Sequence, residues 1–128
     1  MIPIADTGLL VGYLNASDQY HAWASDYFKS LRTSLITCEA VIAETEYLVP
    51  GSGPVIMEMI KRGTLQICSL LPQYAETIRG KMERYSQIDA CVVCLSESER
   101  NAVVYTTDKR DFVIYRRRRS EVIKTVTP

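Results

Sequence analysis

Residues 1–14 read MIPIADTGLLVGYL, and the way this stretch divides decides the fold. Met1 to Ala5 is a short apolar run of strand length that stops at Asp6. Thr7 to Leu14 then reads as a helix opening on Gly8, and Asn15-Ala16-Ser17-Asp18 breaks it. Outward from here the same alternation of strand and helix recurs. Ser17 or Asp18 caps a helix whose apolar stripe is Tyr20, Trp23, Ala24, Tyr27, Phe28 and Leu31. Ser34 to Thr37 is a second strand. A helix from Glu39 to Val49 is stopped by Pro50-Gly51, and a shorter one from Pro54 to Arg62 ends at Gly63. Leu65 to Leu70 is a third strand, and Pro72 opens a helix that runs to Tyr85. Ile88 to Arg100 is nearly all apolar in its first half, as a central buried helix should be. Ala102 to Thr106 and Val122 to Val126 complete the strands. Such an order predicts one α/β domain with a central, mostly parallel sheet of about five strands, covered on both faces.

Bulk properties bound the function less tightly. At 128 residues and 47% hydrophobic content the chain can bury a proper core. Its 15 basic and 15 acidic side chains cancel, so overall charge argues neither for nor against nucleic acid. Arg116, Arg117, Arg118 and Arg119 form a basic run just after Lys109 and Arg110, which serves either as a solvated surface or as phosphate contacts. Cysteines 38, 68, 91 and 94 follow no disulfide spacing, and no secretory signal opens the chain. Cys91 and Cys94 make a CxxC inside a helical segment with no second ligand pair, so all four thiols are expected buried in a reducing cytoplasm. No apolar run approaches the ~18 residues of a membrane span.

The chemistry lies in the acids. Asp6, Glu44, Asp89 and Asp108 each stand at an element end or on an apolar helix stripe. Each except Glu44 has an ordinary alternative. Asp6 can cap a helix, Ser86 and Asp89 are spaced as a capping box, and Asp108 lies in a Thr106-to-Asp111 stretch that can be a simple turn. Glu44 falls amid the stripe Ala40, Val41, Tyr47 and Leu48, where an unpaired carboxylate is costly to desolvate and calls for a cation or a hydrogen-bonding partner. Glu97 lies roughly 12 Å along its helix from Asp89, too far to share an ion. Carboxylates without His or Cys partners select Mg²⁺ or Mn²⁺, and such ions favour phosphodiester hydrolysis. Competing chemistries lack their parts: there is no GxxxxGK[ST] loop, GxGxxG turn or GxSxG elbow. The single His21, beside Tyr20 and Trp23, reads as a packed helix residue. Asp6-Thr7-Gly8 also lacks the second Asp of an aspartyl-phosphate phosphatase.

With those residues in view, the chain resembles PIN-domain ribonucleases of the VapC toxin type. Ile4-Ala5-Asp6-Thr7-Gly8-Leu9-Leu10 and Ser17-Asp18-Gln19-Tyr20-His21 look like the family's opening. Thr37 to Glu44, Asp89 to Glu97 and Thr106 to Phe112 are similar to its second, third and fourth acidic motifs, in the family's order across nearly the whole chain. One departure is Ser86-Gln87-Ile88, which stands where the family carries a longer run with a further Asp.

The resemblance implies a three-layer α/β/α PIN-like fold and a Mg²⁺- or Mn²⁺-dependent endoribonuclease. Asp6, Glu44, Asp89 and Asp108 would be the acidic cluster, with Asp6, Asp89 and Asp108 as metal ligands. Asp111 would be an accessory acid, and Thr106 a hydroxyl that orients water or a ligand. Glu44 would position or deprotonate the attacking water, while Lys109, Arg110 and Arg116 would contact RNA phosphates. The same resemblance implies a small cognate antitoxin and a homodimer. Two alternatives stand beside it: an RNA-processing nuclease outside any toxin pair, and a non-catalytic module whose acids merely cap helices.

Overall fold

The computed structural model describes residues 1–118 and 120–128; Arg119, the last of the basic run, lies outside the described residues. The chain order is β1 (Ile2–Ala5), α1 (Thr7–Leu14), α2 (His21–Ser30), β2 (Leu35–Cys38), α3 (Glu39–Leu48), α4 (Gly53–Lys61) and β3 (Leu65–Cys68). It continues with α5 (Leu71–Lys81), α6 (Gln87–Ser98), β4 (Ala102–Tyr105), α7 (Asp111–Ile114), β5 (Arg116–Arg117), β6 (Glu121–Val122) and β7 (Thr125–Val126). Five strands form one sheet in the order β3-β2-β1-β4-β7, every pairing parallel. The architecture is the expected α/β/α sandwich.

Strand β1 is the axis of the sheet. It runs in register with β4 from Ile2–Ala102 to Ala5–Tyr105. Ile2 N–H donates to Asn101 O at 2.8 Å and Asp6 N–H to Tyr105 O at 3.0 Å. The alternating residue Pro3 therefore turns its missing donor toward β2, where pairing starts only at Ile4–Ile36. Pro3, Ile4 and Ala5 are all buried, as a parallel strand covered on both faces requires.

The strand order reverses direction at β1. From β1 the chain steps outward to β2 and β3, then crosses back to β4 and β7 on the other side. Right-handed crossovers then place α1 to α4 on one face and α5 and α6 on the other. The crevice at the carboxyl ends of β1 and β4 is where such sheets bind ligands. Helix α6 lies against β1, β2 and β4, and Ala90 through Ser96 are buried without a break. A helix apolar all round has no other place to go.

Several boundaries differ from the sequence reading. β3 ends at Cys68, and α5 stops at Lys81 with non-helical geometry at Tyr74 (φ −116°, ψ 21°). α2 starts only at His21, because Asp18 Oδ2 accepts the Tyr20 N–H at 2.9 Å and holds a turn ahead of it. The expected strand over 122–126 splits: Thr125–Val126 joins the sheet, while Glu121–Val122 pairs antiparallel with Arg116–Arg117. The split separates two roles that a single apolar run conceals. All four thiols are free; Cys38, Cys91 and Cys94 are buried and Cys68 half-buried. Burial pushes Cys38 up to about 12 and Cys94 up to about 11, so both are inert thiols at neutral pH.

Candidate functional site

Asp6 leaves β1 at the reversal point and is only 6% exposed. It holds the N-cap position of α1 but makes no side-chain cap bond, beyond a contact with the adjacent Thr7 N–H. Its Oδ2 instead accepts the Thr106 hydroxyl at 2.6 Å. The same Thr106 oxygen accepts the Asp108 N–H at 2.9 Å, and Asp108 Oδ1 accepts the Asp111 N–H at 2.9 Å. The turn reading of Asp108 is thus half right, since one of its oxygens organises the start of α7. Thr106 thus links two of the acids through one hydroxyl.

Asp89 enters from the other side, in the first turn of α6, where the helix dipole favours negative charge. Ser86 Oγ accepts its N–H at 3.2 Å, which is half of a capping box. The carboxylate turns elsewhere: Oδ2 accepts the Tyr115 hydroxyl at 2.7 Å. Asp89, Asp108 and Asp111 each bring a carboxylate oxygen within 4.8 Å of the other two. Asp6 stands beside this triad but outside it. A cavity of about 440 Å³ is lined by Asp6, Glu44, Asp89 and Asp108, together with Gly8 and Thr107.

The charges in this cavity are strained. Burial pushes Asp6 up to about 6, Asp89 and Asp108 add to the rise, and the Thr106 hydrogen bond opposes it. Burial also raises Asp89, reinforced by Asp108, Asp111 and Glu44 and opposed by the Tyr115 hydroxyl. Among the described residues, no Lys or Arg forms an ion pair with Asp6, Glu44, Asp89, Asp108 or Asp111. Elsewhere Glu58, Glu76, Glu97 and Glu121 are paired.

Two solved structures share this architecture. VapC20 of Mycobacterium tuberculosis, described as a sarcin-ricin loop cleaving toxin, aligns with a TM-score of 0.72 at 20% identity, covering 84% of this chain and 91% of its own. VapBC2 of Rickettsia felis, solved bound to a DNA fragment from its promoter, aligns with a TM-score of 0.60 at 16% identity, covering 100% and 99%. The chain has the VapC fold. No protein-family model matches the sequence, and no curated protein matches it either.

Within the VapC fold, the donor set here is entirely carboxylate oxygen. His21 is turned away, its Nδ1 hydrogen-bonded with Gly12 O at 2.7 Å and its Nε2 3.3 Å from Ser25 Oγ. Clustered carboxylates without a protein counter-charge fit a hard divalent ion such as Mg²⁺ or Mn²⁺. Asp111, expected as an accessory acid, lies in the tight triad, and Asp6 stands beside it in the same cavity. One sequence argument changes. The stripe argument for Glu44 fails: Tyr47 is 82% and Leu48 52% exposed, and the buried face of α3 is Val41, Ile42 and Thr45. Glu44 is half-buried at the cavity rim, so no desolvation cost demands a partner for it.

The basic residues are not equivalent. Lys109 and Arg110 are exposed, with Lys109 Nζ 5.9 Å above the Tyr20 ring. Arg116 Nη1 donates to the carbonyls of Val113, Ile114 and Tyr115 at 2.7, 3.1 and 2.9 Å, closing the end of α7. Arg117 is buried and pairs with Glu121 at 3.4 Å. Glu97 pairs with Lys81 away from the cavity, as its distance along α6 required.

Sequence reading missed Tyr115 and Thr107. A Cβ on Gly8 would stand 1.9 Å from Thr107 Oγ1 and 2.9 Å from its Cβ, so Gly8 is what lets α1 approach the loop after β4. The one signal for Tyr115 was its spacing, one helical turn beyond Asp111.

Proposed function

We propose that this chain is a divalent-metal-dependent endoribonuclease and the toxin of a toxin–antitoxin pair. The observation that carries the reading is the convergence, at the reversal point of a VapC fold, of acids that no lysine or arginine among the described residues neutralises. Asp89, Asp108 and Asp111, with Asp6 beside them, would hold Mg²⁺ or Mn²⁺. When bound, such an ion neutralises phosphate charge and makes water a better nucleophile.

The rest is done by the chain. Thr106 holds Asp6 and Asp108 in place while the α6 N-terminus adds positive potential beside Asp89. Glu44, which lines the cavity, accepts the proton of the attacking water. Water adds to phosphorus as the bond to one ribose oxygen breaks, and that oxygen takes a proton from solvent, leaving one phosphate end and one hydroxyl end. Lys109 and Arg110 hold flanking phosphates. The same reading includes a cytoplasmic location, a small antitoxin that covers the cavity, and a homodimer using apolar surface such as Tyr47, Leu48, Val55 and Met57.

The test is RNA cleavage by purified protein with Mg²⁺ or Mn²⁺, with EDTA, and with Asp89→Asn. Cleavage that survives both chelation and the substitution refutes the proposal. Expression alone should arrest growth, with relief by a co-encoded small protein. Metal-dependent cleavage without arrest would place the enzyme in RNA processing instead.

A further inference from the structure

We infer that Tyr115 is a positioning residue for the metal centre, the donor that holds Asp89 in its liganding orientation. The inference rests on the metal reading above and adds a residue whose sequence motif carries no acid. Tyr115 ties the cluster together from both ends. Its hydroxyl donates to Asp89 Oδ2 at 2.7 Å, and its backbone N–H donates to Asp111 O at 2.9 Å. With the Thr106 and Asp108 bonds, this makes one continuous chain from Asp6 through Thr106, Asp108, Asp111 and Tyr115 to Asp89.

The ring that carries the hydroxyl is itself fixed. Tyr85 packs against it at 4.3 Å between centroids and 47°, and Phe112 meets it edge-on at 5.1 Å and 67°. Arg116 Nη1 binds its carbonyl. The need for such a clamp is electrostatic. Asp89 faces Asp108, Asp111 and Glu44, all of its own sign, and nothing basic among the described residues pairs with it. A free carboxylate there rotates away from its neighbours, and the hydroxyl is the hydrogen-bond donor seen on its side chain. Donors behind metal-binding carboxylates fix their direction, and their loss weakens metal affinity. Tyr115 acts through Asp89 and touches no reacting atom.

The test measures Mn²⁺ affinity by calorimetry on the metal-free protein, with RNA cleavage as a second readout. Tyr115→Phe keeps the ring packing and deletes the donor, and should weaken Mn²⁺ binding roughly 10-fold. At saturating Mn²⁺ its kcat should return to within about 2-fold of wild type, because the ion itself then orders Asp89. In an Asp89→Asn background, Tyr115→Phe should change the affinity no further. Tyr85→Leu keeps the hydroxyl but loosens the ring; it should weaken binding about 3-fold, and it reports even if the phenylalanine variant fails to fold. Unchanged Mn²⁺ affinity in Tyr115→Phe or in Tyr85→Leu overturns the inference. So does a kcat that stays low at saturating Mn²⁺, which would make the hydroxyl a catalytic group. Wild-type protein that binds no Mn²⁺ refutes the metal reading itself, a separate result.

Discussion

Asp6 lies in an environment that resists its charge, and replacing it should separate stability from function. In the folded protein burial raises its pKa from 3.8 to about 6. The folded state therefore holds this proton more tightly than the unfolded chain does. Stability from the group is fully present below pH 3.8 and is lost as pH rises through 6. At 1.36 kcal/mol per pH unit, the ionised carboxylate costs about 3 kcal/mol at pH 7.5 without metal. Asp6→Asn removes that charge but weakens the bond from Thr106, which offsets about 1 kcal/mol. The metal-free variant should gain about 2 kcal/mol, or roughly 5–8 °C in Tm for a domain of this size. The assay is thermal unfolding of wild type and variant from pH 4 to pH 8 in EDTA, repeated with Mg²⁺. The gap should close near pH 4. It should shrink or reverse in Mg²⁺, because an ion that binds the folded state stabilises the wild type more. Cleavage should be lost throughout. A variant less stable than wild type at pH 7.5, or a difference independent of pH, would refute the reasoning.

Other perturbations probe separate parts of the site. Gly8→Ala places a methyl group 1.9 Å from Thr107 Oγ1, which must move; a loss of about 1–3 kcal/mol by denaturant unfolding, together with reduced cleavage, is expected. Glu44→Gln should leave the melting temperature within about 2 °C of wild type, since the side chain is only half-buried, yet lower kcat by at least about 100-fold. Lys109→Ala and Arg110→Ala should each reduce the salt dependence of single-stranded RNA binding by about 0.7 in log–log slope, with little change in kcat. Arg116→Ala should instead destabilise the end of α7 by about 1 kcal/mol, seen as faster amide exchange around Tyr115, because its guanidinium is committed to backbone carbonyls.

The helices and strands were legible because their causes are local. Apolar runs of strand length, Pro72 near a helix start and Gly63 after a helix end fixed most elements to within a few residues. The unbroken apolar first half of α6 foretold its central burial. Where the reading slipped, a longer-range partner had intervened. Thr125–Val126 went to the sheet while Glu121–Val122 was drawn to Arg116–Arg117, a choice that pairing across space makes. Glu44 shows the opposite error: Tyr47 and Leu48 look like core residues by type but face solvent, because α3 presents Val41, Ile42 and Thr45 inward.

By itself the sequence determined that acids would end β1 and follow β4, since both positions come from where apolar runs stop. Only the tertiary structure decided which oxygens meet. Asp111 entered the triad and Asp6 was set beside it through Thr106, Tyr115 reached Asp89 across the crevice, and Arg116 was spent on α7. Spacing along a chain fixes which face or edge a residue occupies. Whether two such residues touch depends on how the elements carrying them cross, which is settled by the packing of the whole sheet.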